Sequence, residues 1–192
     1  MNVNLLQSTD ELPSGVHRGR KHSASVAVEP NTSDPESLPP PPARKKILLA
    51  DDDSGVLEML GRVLQSENYE VIPAKNGNEA TAKFVLRRPD LVLLDLNMPL
   101  RDGWSAFRFM DAARPLVPVI IITARPNQYP LAEQLGVDGL MEKPLNLPVL
   151  LDAIKGLLAE TESDRTRRLT NPRFQTAYFS HPQPSPGSGQ PP

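Results

Sequence analysis

The sequence contains no cysteine, which excludes disulfide bonds and thiolate metal sites and is compatible with a reducing compartment. Its longest apolar run, VPVIII at residues 117–122, is far shorter than the ~20 residues that span a bilayer. The net charge of -2 provides no general attraction for nucleic acid or anionic lipid. The opening MNVNLLQSTDELPSG has no basic stretch leading into an apolar run, so we expect no secretory signal. We therefore expect a cytoplasmic protein with neither a membrane segment nor a nucleic-acid-binding domain.

Proline is concentrated at the two ends of the chain. Residues 1–44 contain seven of the 22 prolines and residues 161–192 contain six, and neither flank shows apolar periodicity. We predict a disordered N-terminal segment at 1–44, a folded domain at 45–160 and a disordered C-terminal tail at 161–192. The PPPP run reads most simply as a stiff spacer, with a ligand for a proline-binding groove as the alternative. The arginines and aromatic residues of the tail could also contact a partner or RNA, but disorder is the simpler interpretation.

Short apolar runs alternate with helical patterns between these flanks. Strands are predicted at residues 46–50, 69–74, 91–96, 117–123 and 139–142, and helices at 54–66, 78–88, 104–113, 129–136 and 146–160. Runs such as LVLLDL are apolar on both faces, which is typical of parallel strands covered by helices on both sides. The predicted fold is therefore a five-stranded, doubly wound α/β sandwich. In such sheets a site forms beyond the carboxyl ends of the strands.

Polar residues follow four of the five predicted strands at that edge. Asp51, Asp52 and Asp53 follow the first strand, and the third ends at Asp95 with Asn97 close behind. Thr123 ends the fourth strand and Lys143 follows the fifth. Each residue alone has an ordinary explanation; Asp53 in particular is expected to cap the first helix, and Asp102 to start the helix at 104–113. Their joint placement predicts a common site.

The residue types predict the chemistry of this site. Several carboxylates without histidine or cysteine suit Mg²⁺, which binds through one or two carboxylates and several waters. A carboxylate beside a metal, a hydroxyl and an ammonium can attack phosphorus and form an aspartyl phosphate. The acidic run is thus expected to be tolerated because a divalent cation lies against it.

Four stretches identify a family. LLADDD at 48–53, PDLVLLDLNMPLRDGW at 89–104, VIIITA at 119–124 and MEKPL at 141–145 occur in order, each around its own strand. Together they resemble the receiver domain of two-component response regulators, and the resemblance covers residues 46–160. It implies the flavodoxin-like strand order 2-1-3-4-5, Mg²⁺ as cofactor and a peptide bond at Lys143-Pro144 that is usually cis.

The resemblance also implies a role for each site residue. Asp95 resembles the phosphoacceptor, Asp52 the direct Mg²⁺ ligand, Asp51 a ligand acting through water and Asn97 a backbone carbonyl ligand. Thr123 would follow the phosphoryl group, Lys143 would pair with its oxygens, and the small Ala124 would leave the acceptor open. Leu140 departs from the family, which usually has at that position an aromatic residue that swings with the threonine. We therefore do not expect a rotating aromatic residue to transmit the signal.

The function implied is that of a stand-alone receiver. It would accept a phosphoryl group on Asp95 from a histidine kinase or a histidine phosphotransfer protein and signal to an unknown downstream protein. We expect no enzymatic activity beyond Mg²⁺-dependent self-phosphorylation and autodephosphorylation. An aspartate-nucleophile phosphatase of the haloacid dehalogenase type is one alternative, although its nucleophile follows the first strand. A phosphorylation-independent interaction scaffold is the other.

Overall fold

The structure is a computed structural model that describes residues 43–179. Strands and helices alternate along this part of the chain, as the sequence pattern predicts. The elements are β1 (Lys46–Ala50), α1 (Ser54–Ser66), β2 (Glu70–Ala74), α2 (Gly77–Arg87), β3 (Leu91–Asp95), α3 (Gly103–Ala113), β4 (Val119–Thr123), α4 (Tyr129–Gln134), β5 (Gly139–Glu142), α5 (Leu147–Ala159), α6 (Glu162–Leu169) and β6 (Ala177–Phe179).

The strands form one parallel sheet in the order β2-β1-β3-β4-β5-β6. The predicted doubly wound sandwich and the order 2-1-3-4-5 are therefore confirmed, with a sixth strand added at one edge. Strands β3 and β4 are buried along their whole length. Their alternate side chains enter two cores, one on each face of the sheet, which explains why these runs are apolar at every position.

Short polar side chains begin the helices next to the carboxyl edge of the sheet. Asp53 accepts hydrogen bonds from the backbone of Gly55 and Val56, and Asp102 accepts from the first turn of α3. Asn146 caps α5 in the same way. The predictions that Asp53 and Asp102 begin helices are thus confirmed. These caps hold the loops after β1 and β3 close to the strand ends.

The predicted disordered tail is wrong for the part of it that the structure describes. Residues 161–179, here called the docked tail, form α6 and β6, and β6 pairs in parallel with β5. Apolar periodicity could not reveal this segment, because the side chain that α6 buries is Arg165. A local signal was nevertheless present: Thr161 caps α6 and exchanges hydrogen bonds with Asp164.

The remaining predictions about the flanks lie outside the described residues. These are residues 180–192 of the tail and all but the last two residues of the N-terminal segment 1–44. Within residues 43–179, no helix has the length and apolar character needed to cross a membrane.

Candidate functional site

The parallel strands bring the predicted polar residues together at one edge. Asp51 directly follows β1, Asp95 and Thr123 end β3 and β4, and Lys143 directly follows β5. One carboxylate oxygen from each of Asp51, Asp52 and Asp95 lies within 4.8 Å of the others. The Lys143 ammonium lies 2.7 Å from Asp51 Oδ2 and 3.5 Å from Asp95 Oδ2. Residues far apart in the sequence thus form one compact cluster.

The three consecutive aspartates have different surroundings. Asp51 is fully buried; one of its oxygens accepts from Lys143 and the other accepts from the backbone N–H of Asp53 at 3.0 Å. Asp52 is exposed, and Asp53 caps α1. Asp52 and Asp53 are both exposed, but Asp53 is engaged as a helix cap, so Asp52 is the exposed carboxylate of the run that belongs to the cluster.

Asp95 lies at the centre of the cluster and is incompletely satisfied. Its side chain is almost fully buried, and no group in the described part of the chain hydrogen-bonds its Oδ1 atom. Burial, and then the nearby negative charge of Asp51, raise the pKa of Asp95, although Lys143 acts in the opposite direction. A buried carboxylate oxygen without a partner is costly, so this atom is prepared to receive a ligand.

Among residues 43–179, Lys143 is the one cation that forms ion pairs with both buried carboxylates, Asp51 and Asp95. Its burial acts to lower the pKa of the ammonium, but the hydrogen bond to Asp51 and the charges of Asp95 and Asp51 outweigh that effect and raise it. Lys143 therefore stays charged, and its backbone N–H is held by the carbonyl of Thr123 at 2.8 Å. Three carboxylates face this single ammonium, which leaves the cluster negatively charged and suited to a further cation.

Arg125 hydrogen-bonds both Thr123 and Asn97 beside the cluster. The Thr123 side chain is buried, and its hydroxyl accepts a hydrogen bond from the Arg125 backbone N–H at 3.0 Å. The Arg125 guanidinium donates to the Asn97 side-chain oxygen at 3.2 Å, across the two loops that follow β3 and β4. Arg125 is a neighbour of the site that the sequence motifs do not reveal. Its position two residues after Thr123, on a loop at the same sheet edge, was the available signal.

The other positions singled out in the sequence are also located. Leu140 is fully buried in the core between the sheet and α3 and α4, and Ala124 is exposed beside the site. The Lys143-Pro144 peptide bond is cis. A leucine that is part of the core leaves no aromatic ring to rotate at this position.

Comparison with known proteins agrees with this geometry. A family model of the response regulator receiver domain matches residues 47–155. The chain belongs to this family. The solved structures similar to this receiver include a CheY-like receiver domain protein from Methanospirillum hungatei, with a TM-score of 0.59 and 28% identity over 65% of this chain and 98% of that one. CheY4 of Vibrio cholerae gives a TM-score of 0.56 and 28% identity over 60% of this chain and 99% of that one.

The receiver is also similar to parts of longer proteins. It is 37% identical over 116 residues to the transcriptional regulatory protein PrrA of Mycobacterium bovis, which is 59% of this chain and 50% of PrrA. Over 111 residues it is 37% identical to the transcriptional regulatory protein GlrR of Escherichia coli, which is 57% of this chain and 25% of GlrR. The chain thus spans a quarter to a half of the length of these curated relatives. Because the chain belongs to the receiver family, the interpretation as a haloacid dehalogenase-type phosphatase is dropped.

Proposed function

We propose that this receiver accepts a phosphoryl group on Asp95 from a histidine kinase or a histidine phosphotransfer protein. In this step an Asp95 oxygen forms a bond to phosphorus, and the bond from phosphorus to the donor nitrogen breaks. The observation that carries the proposal is the buried Oδ1 atom of Asp95, which lacks a partner although Lys143 and two other carboxylates surround it. Lys143 then pairs with the phosphoryl oxygens, and the Thr123 hydroxyl donates to one of them.

The residues present suit Mg²⁺ as the cofactor. The cluster offers only oxygen ligands, carries excess negative charge and includes one carboxylate oxygen without a protein partner. Asp52 and Asp95 would hold the ion directly, Asp51 through water and Asn97 through its backbone carbonyl. When bound, the ion neutralises negative charge on the transferring phosphoryl group. Within the protein, Lys143 keeps Asp51 in place, and the cap at Asp53 fixes the loop that carries Asp52.

Intact mass after incubation with Mg²⁺ and acetyl phosphate tests this function. We expect an adduct of one phosphoryl group in the wild type, its loss with a chelator and its absence in Asp95→Ala. Asp90→Asn is the matched control, because Asp90 lies at the other end of β3 and pairs with Lys45 instead. An adduct that persists in Asp95→Ala would refute the assignment of the acceptor.

We further propose that the receiver works in the cytoplasm, that its own chemistry is limited to self-phosphorylation and autodephosphorylation, and that it signals through protein contacts. A phosphorylation-independent scaffold would give no adduct at all under these conditions. Its binding to a downstream protein would also be the same in wild type and Asp95→Ala. The mass experiment therefore separates the two functions.

A further inference from the structure

The docked tail covers the edge of β5. Strand β6 places Ala177, Tyr178 and Phe179 opposite Gly139, Leu140 and Met141. The backbone N–H of Ala177 donates to the Asp138 carbonyl at 3.1 Å, and the Thr176 hydroxyl donates to the Val137 carbonyl at 2.7 Å. An uncovered strand edge exposes unpaired backbone groups, so the tail completes the sheet at this side.

The helical half of the tail is held firmly. The buried Asp138 carboxylate accepts from Arg165 at 2.6 and 2.8 Å, from Arg168 at 2.7 Å and from the backbone of Val119 at 2.8 Å. Separating Arg165 from Asp138 would leave a charge buried without its partner, which is strongly unfavourable. Helix α6 is therefore the anchor of the tail.

The strand half of the tail, residues 176–179, is held more weakly, and we call it the tip. It contains a strand of only three residues, of which Ala177 and Tyr178 are exposed. The Phe179 ring lies over Gly139, where a Cβ atom would come within 2.9 Å of the ring. The Thr176 side chain is buried and Phe179 is partly buried, but among the described residues the tip has no buried ion pair like that of Arg165 and Asp138. It can therefore open while the anchor stays in place.

The tip contacts the segments that carry Thr123 and Lys143. The Tyr178 ring packs against Tyr129 with centroids 5.2 Å apart, and Tyr129 begins α4, six residues after Thr123. Tyr178 also pairs with Leu140 on β5, three residues before Lys143. One residue of the tip thus links the loop after β4 to β5.

Phosphorylation of Asp95 would affect this connection at Thr123. At present the Thr123 hydroxyl accepts from the Arg125 backbone. A phosphoryl oxygen on Asp95 would compete for this hydroxyl. If the hydroxyl turns to donate to that oxygen, the Arg125 N–H loses its acceptor and the loop at 124–128 is free to shift. Tyr129 follows that loop directly, so a shift of the loop also moves the contact between Tyr129 and Tyr178.

We propose that the tip is released from β5 when Asp95 is phosphorylated, and that the docked tip holds the receiver in its unphosphorylated arrangement. This inference rests on the proposed function. The segment that covers the β5 edge belongs to the chain itself. Its release is the conformational change that phosphorylation produces in a receiver whose Leu140 stays in the core. Because coupling between two sites is reciprocal, weakening the tip must also favour phosphorylation.

Hydrogen exchange of the full chain with and without Mg²⁺ and beryllofluoride, a phosphoryl mimic, tests the forward direction. We expect the amides of residues 176–179 to exchange about five-fold faster or more when the mimic is bound, the lower end of typical coupling. Tyr129→Ala should abolish this difference, whereas Tyr129→Phe keeps the ring and should respond as the wild type does.

The affinity for beryllofluoride in the presence of Mg²⁺ tests the reverse direction. Phe179→Ala should bind the mimic more tightly than the wild type, by up to about the factor by which the tip responds, because the two binding free energies are thermodynamically linked. Phe174→Ala is the matched control: Phe174 belongs to the docked tail but packs on the Arg168 guanidinium, 5.3 Å from its ring.

The outcomes separate this inference from the proposed function. If residues around Asp95 respond to the mimic while the tip is unchanged or exchanges more slowly, the receiver function stands and the inference is overturned. Equal affinities of Phe179→Ala and wild type for beryllofluoride would overturn it as well. If neither an adduct nor any response at Asp95 is found, the proposed function fails and the inference fails with it.

Discussion

Three consecutive aspartates are compatible with folding because each has a different environment. Asp51 is buried and pairs with Lys143, Asp53 caps α1, and Asp52 faces solvent beside the cluster. Repulsion within the run is therefore reduced by a cation and by a helix start, and the remaining charge attracts a metal ion. At the residue scale, neighbouring aspartates with the same side chain should respond in opposite ways to substitution.

We predict that Asp52→Ala and Asp51→Ala change stability in opposite directions without metal. Asp52→Ala removes a like charge near Asp51 and Asp95, so its free energy of unfolding should rise slightly. Asp51→Ala removes the acceptor for Lys143 and for the Asp53 backbone and should cost about 1–3 kcal/mol. Urea unfolding in the presence of a chelator measures both. An Asp52→Ala variant that unfolds earlier than wild type and still responds to Mg²⁺ would contradict this account of the cluster.

The raised pKa of Asp95 gives a pH-dependent prediction. Burial and the Asp51 charge raise this pKa in the folded protein, so the stabilisation from protonated Asp95 is present below the ordinary value of about 3.9. It is lost as the pH rises through the higher folded pKa. Asp95→Asn imitates the protonated side chain. We therefore expect the metal-free wild type to lose stability relative to Asp95→Asn as the pH rises above about 4, measured by urea unfolding, and a constant difference would be the contrary result.

At the scale of elements, the start of α3 packs closely on the end of β3. The Gly103 N–H donates to the Leu96 carbonyl at 3.2 Å, and a Cβ atom at position 103 would collide with the Asp95 carbonyl. Glycine is required here by the close approach of two backbones, not by an unusual backbone angle. The position of the phosphoacceptor therefore depends on how α3 begins.

Gly103→Ala should both destabilise the domain and disturb the site. Because the collision is with backbone atoms, we expect a loss of about 1–3 kcal/mol and slower labelling of Asp95 by acetyl phosphate. Gly156→Ala is the control: Gly156 lies within α5 with no atom near its would-be Cβ, so alanine should add about 0.5–1 kcal/mol and leave labelling unchanged. Equal effects at the two positions would show that the close approach is unimportant.

Arg165 and Asp138, which anchor the docked tail, should have coupled effects on the free energy of unfolding. Arg165→Met leaves Asp138 with less compensation, and we expect it to cost about 3–5 kcal/mol. Asp138→Asn in the same background removes the uncompensated charge and should recover part of that loss. Urea unfolding of the wild type, both single variants and the double variant measures the coupling, and strictly additive losses would argue against a shared buried pair.

At the scale of the whole molecule, β5 joins the two functional regions. The tail anchor contacts Asp138 immediately before this strand, and the site residue Lys143 follows immediately after it. The site therefore depends on the entire sheet being folded, and any ligand of the site should stabilise the whole domain.

Mg²⁺ should raise the melting temperature in a concentration-dependent way. At ten times the dissociation constant the stabilisation is about 1.4 kcal/mol, which corresponds to several degrees for a domain of this size. Asp52→Ala and Asp95→Ala should lose the shift, whereas Asp90→Asn should keep it, because Asp90 lies at the opposite end of β3. A shift of the same size in all three variants would locate the ion elsewhere.

The sequence by itself determined the alternation of five strands with helices and the set of residues at the strand ends. Apolar runs report burial directly, and the carboxyl ends of parallel strands must lie along one edge of the sheet. The sequence alone therefore assigns to one place the residues Asp51, Asp52, Asp95, Thr123 and Lys143. Helix starts at Asp53 and Asp102 were equally predictable, because a cap acts on its own next few residues.

Only the tertiary structure decided which of these residues are already satisfied and where the tail lies. Contacts between distant loops determine three features of the site. These are the unpartnered oxygen of Asp95, the pairing of Lys143 with Asp51 and the hydrogen bond from Arg125 to Asn97. Asp138 and Arg165 are 27 positions apart, and charged residues are ordinarily expected at the surface. They are buried because each neutralises the other, which is a property of the pair that neither local pattern contains.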